Sequence, residues 1–365
     1  MRIVIFGLAI TSSWGNGHAT TFRALARALH SRGHRIVFFE RDLEWYASNR
    51  DLPHPDFCTV RILDDWVQIL PEVRRELADC DVAMVGSYFP DGIVAIDEVL
   101  SSRAAVKAFY DIDTPITVAG LVQRGGTEYL RQEQVSGFDV YFSFTGGPML
   151  QDLETRFGAR RAAALYCSFD PAQYQRWPVH KRFTSDFSYM GTYAPDRQPK
   201  IEKLFLSPAR ALRNQKFLLA GPQYPKGIRW PANVRRITHL NPDWHAHFYS
   251  SSRLTLNVTR RDMVLAGFSP SVRLFEAAAC GAAIASDNWP GLETFFSPGE
   301  EILLPASSDD VVRYLTGYDE SELRRIGSRA QQRVLAEHTS ECRARAFETC
   351  IEQACEPLSP PPIGV

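Results

Sequence analysis

Ala266-Gly267-Phe268-Ser269-Pro270-Ser271-Val272-Arg273-Leu274-Phe275-Glu276-Ala277-Ala278-Ala279-Cys280-Gly281, followed by the apolar run Ala282-Ala283-Ile284-Ala285-Ser286-Asp287, reads as a short helix feeding a buried strand. Ser269 is placed to cap the helix, Pro270 suits its first position and Gly281 its left-handed stop. The small residues Ala277 to Cys280 predict a closely seated helix. Its opening turn, at Ser271 and Val272, then offers N–H groups and a positive dipole end to an anion such as a diphosphate. Arg273 adds a fixed charge. Glu276, three residues on, shares nearly the same face, where its carboxylate can accept both hydroxyls of a ribose. A surface ion pair between Arg273 and Glu276 is the plainer alternative, worth only about 0.5 kcal/mol; a tightly seated helix favours the ligand.

Outward from this segment, short apolar runs alternate with longer amphipathic ones, the pattern of a parallel sheet wrapped by helices. Strands are predicted at 187–191, 216–220, 253–258, 282–286 and 301–304, and an earlier series at 3–9, 35–40, 81–86, 105–110 and 140–144. In the clearest helix, 19–31, Phe22, Leu25, Ala26 and Leu29 recur at helical spacing before Gly33. Two series, and a length of 365 residues, imply two α/β domains. Residues 1–175 form the first and 176–355 the second, with the option that a terminal helix over 320–352 packs back on the first; the tail 356–365, with four prolines, is expected to be mobile.

After the first strand, Thr11-Ser12-Ser13-Trp14-Gly15-Asn16-Gly17-His18 leads into the 19–31 helix. Glycines there admit a ligand close to backbone, and His18 can exchange a proton near neutral pH. The near match of Gly15 to Thr20 to a dinucleotide fingerprint, with Glu40 at the second strand's end, is a decoy: its third glycine is replaced and a long loop precedes it. Asp111 and Asp113, in Phe109-Tyr110-Asp111-Ile112-Asp113-Thr114-Pro115, spell D-x-D. They lie in the half that does not carry the predicted anion helix, so a place at the transferred sugar or acceptor is expected rather than a metal site.

The 266–287 segment, with Pro290-Gly291-Leu292-Glu293 and Pro298-Gly299-Glu300-Glu301, resembles the donor-binding stretch of GT-B glycosyltransferases, in particular the spore-protein (CgeB-like) group and group 1-like enzymes. The resemblance is specific over about 254–304 and looser through Gly191-Thr192-Tyr193-Ala194-Pro195-Asp196-Arg197 and the Gly-Asn-Gly-His loop. It implies two Rossmann-like domains facing a central cleft, with a nucleotide diphosphate sugar of UDP or dTDP type as donor, no cofactor and no metal. Ser269, Ser271, Val272, Arg273 and Glu276 would hold that donor, with Thr192, Tyr193, Arg197 and Arg260. His18 or Asp111 would act as base if the reaction inverts, and Gly15, Asn16, Gly17 and Asp113 would lie on the acceptor side. The nearest resemblance points to retention. Of the two glutamates that flank this segment in related retaining enzymes, the second is similar to Glu276; the first falls on Phe268. That loss keeps a catalytically degenerate nucleotide-sugar-binding protein in view beside a transferase, as the shared architecture keeps an epimerase.

Lys plus Arg at 41 against Asp plus Glu at 42 leave no global pull toward nucleic acid or an anionic membrane. Seven cysteines without ligand spacing read as reduced thiols, and no apolar stretch approaches the roughly 20 residues that span a bilayer. The N-terminal run reads as a strand rather than a signal peptide, so a cytoplasmic location is expected.

Overall fold

A computed structural model describes residues 1–15 and 17–356, so Asn16 and the tail from 357 onward lie outside the described residues. The chain divides into two compact units: residues 1–166 with 341–365, and residues 167–340. In the first, β1 (Arg2–Phe6), β2 (Arg35–Arg41), β3 (Thr59–Leu63), β4 (Val82–Gly86), β5 (Val106–Asp111), β6 (Val140–Ser143) and β7 (Ala162–Ala164) form one sheet in the order β3-β2-β1-β4-β5-β6-β7. In the second, β8 (Ser185–Met190), β9 (Phe217–Ala220), β10 (Val234–Ile237), β11 (Ser252–Asn257) and β12 (Ala283–Ser286) follow the order β10-β9-β8-β11-β12. Every pairing is parallel.

Parallel sheets need cover on both faces, and the strands carry it in their sequence. Along β1, Ile3 and Ile5 enter one apolar cluster with Phe22 and Leu25, whereas Val4 and Phe6 enter another with Val73 and Ile96. The second unit buries Phe187, Tyr189, Leu254, Leu256 and Ala285 among Phe205 and Leu323. In both sheets the chain order reverses beside the first strand, between β1 and β4 and between β8 and β11. Loops leaving the carboxyl ends of those strands flank the crevice where doubly wound sheets bind ligands.

Several expectations need correction. The break falls at 166/167 and not near 175. Residues up to Tyr174 already belong to the second unit, where Phe169 bridges Thr339 and Tyr174 is buried. The terminal helix is two, Glu320–Glu337 and Ser340–Cys355, separated where His338 stacks on Phe275 at 4.5 Å. The second of them inserts Ala344, Phe347 and Ile351 into the first unit's core, with Phe347 on Phe142 at 5.3 Å. Residues 301–304 contribute no strand but two isolated bridges, Ala285 to Leu303 and Pro298 to Ile302. No disulfide joins cysteines among the described residues, and no described helix is long and apolar enough to cross a membrane.

The Glu320–Glu337 helix touches the Val272–Ala279 helix and β12 at backbone distance because position 327 is glycine. A Cβ there would meet Gly281 O at 2.4 Å and the Ala282 carbonyl carbon at 2.9 Å. Neither neighbour is a flexible side-chain end, so Gly327→Ala should lower stability by about 1–3 kcal/mol. Chemical denaturation checks this; an unchanged midpoint would show that the two helices can part without cost.

Candidate active site

In the second unit the polar groups gather at the carboxyl ends of β8, β11 and β12. Asn257, the last residue of β11, donates from its amide nitrogen to Thr259 Oγ1 (3.2 Å) and Ser286 Oγ (2.9 Å). Its carbonyl oxygen accepts from Ser271 Oγ at 2.7 Å and Arg273 Nη1 at 3.4 Å. One buried side chain thus fixes the start of the helix against two strands. That helix runs Val272–Ala279 with Ser271 at the cap position, two residues later than expected from Ser269 and Pro270. Ser271 makes no side-chain cap because its hydroxyl is spent on Asn257. Ser269 is buried, with its hydroxyl against Met263 Sδ.

Glu276 is buried on this helix, and burial pushes its carboxyl up to about 7, opposed by the nearby Tyr174 hydroxyl and the Arg273 charge. No ion pair joins Arg273 to Glu276 among the described residues; the arginine turns to Asn257 instead. Arg197, at the helix that follows β8, is 6% exposed. Its Nη2 donates to Thr192 O at 2.5 Å, yet its Nε is buried without a hydrogen-bond partner. Burial holds the Arg197 pKa below the usual arginine value, and the charge of Arg273 adds to that. A buried guanidinium with an unmet donor near a second guanidinium has the chemistry to take an anionic partner. Tyr193 packs edge-on to Tyr224 at 5.6 Å, closing the loop beside it. Arg260 is exposed at the N-cap of the Arg261–Ala266 helix.

Phe268 has a left-handed φ of 45°, an arrangement that costs an aromatic residue energy and clusters at functional positions. Its N–H donates to Pro290 O at 2.7 Å, and its ring lies over Gly291, where a Cβ would come within 2.4 Å of it. A partly exposed phenyl ring therefore stands where a carboxylate was expected.

The first unit supplies a second constellation. His18, in the Gly17–Ser31 helix after β1, places Nε2 2.7 Å from Asp113 Oδ2, beyond β5. Gly15 holds the loop before it at φ 62°, and Gly17 opens the helix. Asp111 was expected as an alternative base, but it has no exposed surface. It accepts from Tyr141 (2.6 Å), Thr117 (2.8 Å) and the N–H of Asp113 (3.1 Å), and burial raises its carboxyl to about 7. Asp111 thus organises the floor, and Asp113 is the acid that meets histidine. No group of three or more His, Cys, Asp or Glu side chains placed to hold a metal occurs among the described residues. Glu40 accepts from the N–H groups of Ile10 and Thr11 and from the Thr11 hydroxyl, so it braces its own loop and is closed to a ribose.

The part of Asn257 as the hub and the contact of Tyr88 with His18 could not be read from the sequence. A cavity of about 310 Å³ opens at the opposite, amino-terminal edge of the second sheet, lined by Ser185, Lys216 and Ala283. Its Arg253 is already paired with Asp186, and it contains no residue of either constellation.

The two doubly wound sheets with these carboxyl-edge loops define the GT-B architecture. Over nearly its whole length the chain is similar to three such structures. Sucrose-phosphate synthase from Thermosynechococcus elongatus matches at TM-score 0.70 and 14% identity, over 97% of this chain and 98% of that one. An alpha-glucosyltransferase in complex with UDP-glucose and DNA containing an abasic site matches at 0.68 and 13%, over 96% and 99%. HepE from Anabaena in complex with UDP-glucose matches at 0.65 and 13%, over 97% and 100%. Residues 197–349 match the family described as glycosyl transferase-like, from Arg197 through Glu276 and beyond. The chain thus has the GT-B fold throughout, and its residues 197–349 belong to the glycosyl transferase-like family segment. No curated protein matches it by sequence.

The raised Glu276 carboxyl has a consequence for stability. It keeps its proton to about 7 in the folded protein and to about 4.5 when unfolded. Across that window the folded state binds more protons, so stability falls as pH rises and levels off above it. Glu276→Gln should therefore gain on the wild type between pH 5 and pH 8, by on the order of 2–3 kcal/mol. Unfolding midpoints of both proteins at the two pH values test this; a difference independent of pH would contradict it.

Proposed function

We propose that the chain transfers a glycosyl group from a UDP-type nucleotide sugar to an acceptor hydroxyl, with the donor on the second unit. The buried, unmet Nε of Arg197 beside Arg273 carries this reading. The diphosphate would neutralise both guanidiniums, the helix opening at Val272 would face a phosphate oxygen, and Glu276 would accept from the ribose. Two of the similar structures hold UDP-glucose, which makes uridine the first base to try. dTDP sugars present the same diphosphate and pentose attachment.

In the transfer, the acceptor oxygen forms a bond to the anomeric carbon while the bond from that carbon to the β-phosphate oxygen breaks. The electron pair leaves with the diphosphate, where Arg197 and Arg273 stabilise the growing charge; these guanidiniums support a route without a metal. The acceptor proton has two destinations. The family resemblance favours retention, in which the departing phosphate takes it. The His18–Asp113 pair favours a second reading: a carboxylate 2.7 Å from the imidazole orients a competent base, as an inverting route requires. The anomeric configuration of the product, read by NMR, separates the two.

Arg197→Met should weaken UDP binding by about 10- to 100-fold, the loss expected for a charged hydrogen bond in a buried site. His18→Ala should leave that affinity unchanged and, if His18 is the base, slow transfer by about 10²- to 10⁴-fold. Isothermal titration with UDP, with product formation measured alongside, decides both. An Arg197→Met protein that binds UDP as the wild type does would remove the basis for the donor site.

A further inference from the structure

Tyr88 is one of three non-glycine residues with a left-handed backbone among those described, at φ 60°. It sits in the turn after β4, on one side of the point where the first sheet reverses order, while His18 follows β1 on the other. The turn is pinned on both sides. Ser87 is buried and accepts from Ile112 N at 3.0 Å, and Phe89 is buried against Phe6 at 5.7 Å. With its neighbours fixed inward, the strained backbone of Tyr88 carries its ring outward, 38% exposed.

The ring is also held. It packs on Tyr129 at 4.8 Å and meets the His18 imidazole edge-on at 5.9 Å. Tyr129 in turn bonds Thr117, and Thr117 bonds the buried Asp111 that receives the Asp113 N–H. One network therefore fixes an aromatic plate, an imidazole and a carboxylate relative to one another. Strain of this kind persists where the surroundings impose it, and the surroundings here impose an exposed plate beside a proton-accepting pair.

We propose that Tyr88 is the stacking platform of the acceptor subsite and that the acceptor it takes is a hydroxylated ring, a pyranoside. The C–H face of such a ring lies against the tyrosine, while its equatorial hydroxyls reach His18 and Asp113 at the ring's edge. A purely aromatic acceptor would use the plate and leave that polar edge unmet. The subsite deepens the transferase reading above and rests on it for the word acceptor, whereas the stacking itself does not depend on donor binding.

Saturation-transfer NMR on the full chain tests this with methyl pyranosides as probes and phenol as the control ring, and UDP titration is run on the same samples. The expected result is saturation of pyranoside C–H protons by the wild type, retained in Tyr88→Phe and reduced at least fivefold in Tyr88→Asn, with UDP affinity equal in all three. Asparagine tolerates the left-handed backbone and so keeps the turn. Full pyranoside saturation in Tyr88→Asn, or saturation of phenol without pyranosides, would overturn the proposal. Absence of UDP binding in the wild type with pyranoside saturation intact would instead count against the donor reading alone.

Discussion

The side-chain amide of Asn257 holds the candidate site of the second unit in register. Its two ends reach β12, the loop after β11, the cap of the Val272–Ala279 helix and Arg273. A buried amide must satisfy both its donors and its acceptor, and each of these bonds orders a separate piece of chain. Without it, the Ser271 hydroxyl would be available to cap its own helix, and Arg273 would lose the partner that keeps it from Glu276. The arrangement of charge in the site thus follows from one neutral residue. What it holds is a set of groups that do not satisfy one another: a buried carboxyl near neutral titration and a buried guanidinium with an unmet N–H.

The first unit shows the complementary case, in which the polar groups do satisfy one another. Asp111 is fully committed to Tyr141, Thr117 and the backbone of Asp113. That commitment spends one acid of the pair to aim the other. Burial rather than charge repulsion is the main reason the Asp111 carboxyl is raised, so the network is held in a dry interior while Asp113, beside the buried His18, keeps a partly exposed edge.

Legibility in the sequence followed burial. Central strands such as β1 and β4 are continuous apolar runs and were recognisable, as was β12 at one edge; the edge strands β3, β7 and β10 were not. β3 and β10 carry arginines, the half-buried Arg61 and the exposed Arg235 and Arg236, and β7 is Ala162-Ala163-Ala164, which reads as helix by propensity. The helix that carries Arg273 and Glu276 was recognisable because its small residues marked it as closely seated. The choice between Asp111 and Asp113 was not, since strand alternation ends between them and only the tertiary fold decides which faces inward. Positive φ at Tyr88 and Phe268 leaves no trace in residue type, so the strain was not legible, although Phe268 stood out as the position where a glutamate was expected. The helix break at His338 has neither glycine nor proline to announce it; stacking on Phe275 and the Phe169–Thr339 bridge make it.

The return of the Ser340–Cys355 helix to the first unit makes residues 167–340 an insertion within a discontinuous domain. On the ribosome the inserted part is complete, core and all, before the host can be. Strands β1 to β7 emerge first but wait, with a gap where Ala344, Phe347 and Ile351 belong, until the final helix is synthesised. Biogenesis therefore runs against the usual amino-to-carboxyl order, and a nascent sheet with an open apolar seam is the species that most needs a chaperone.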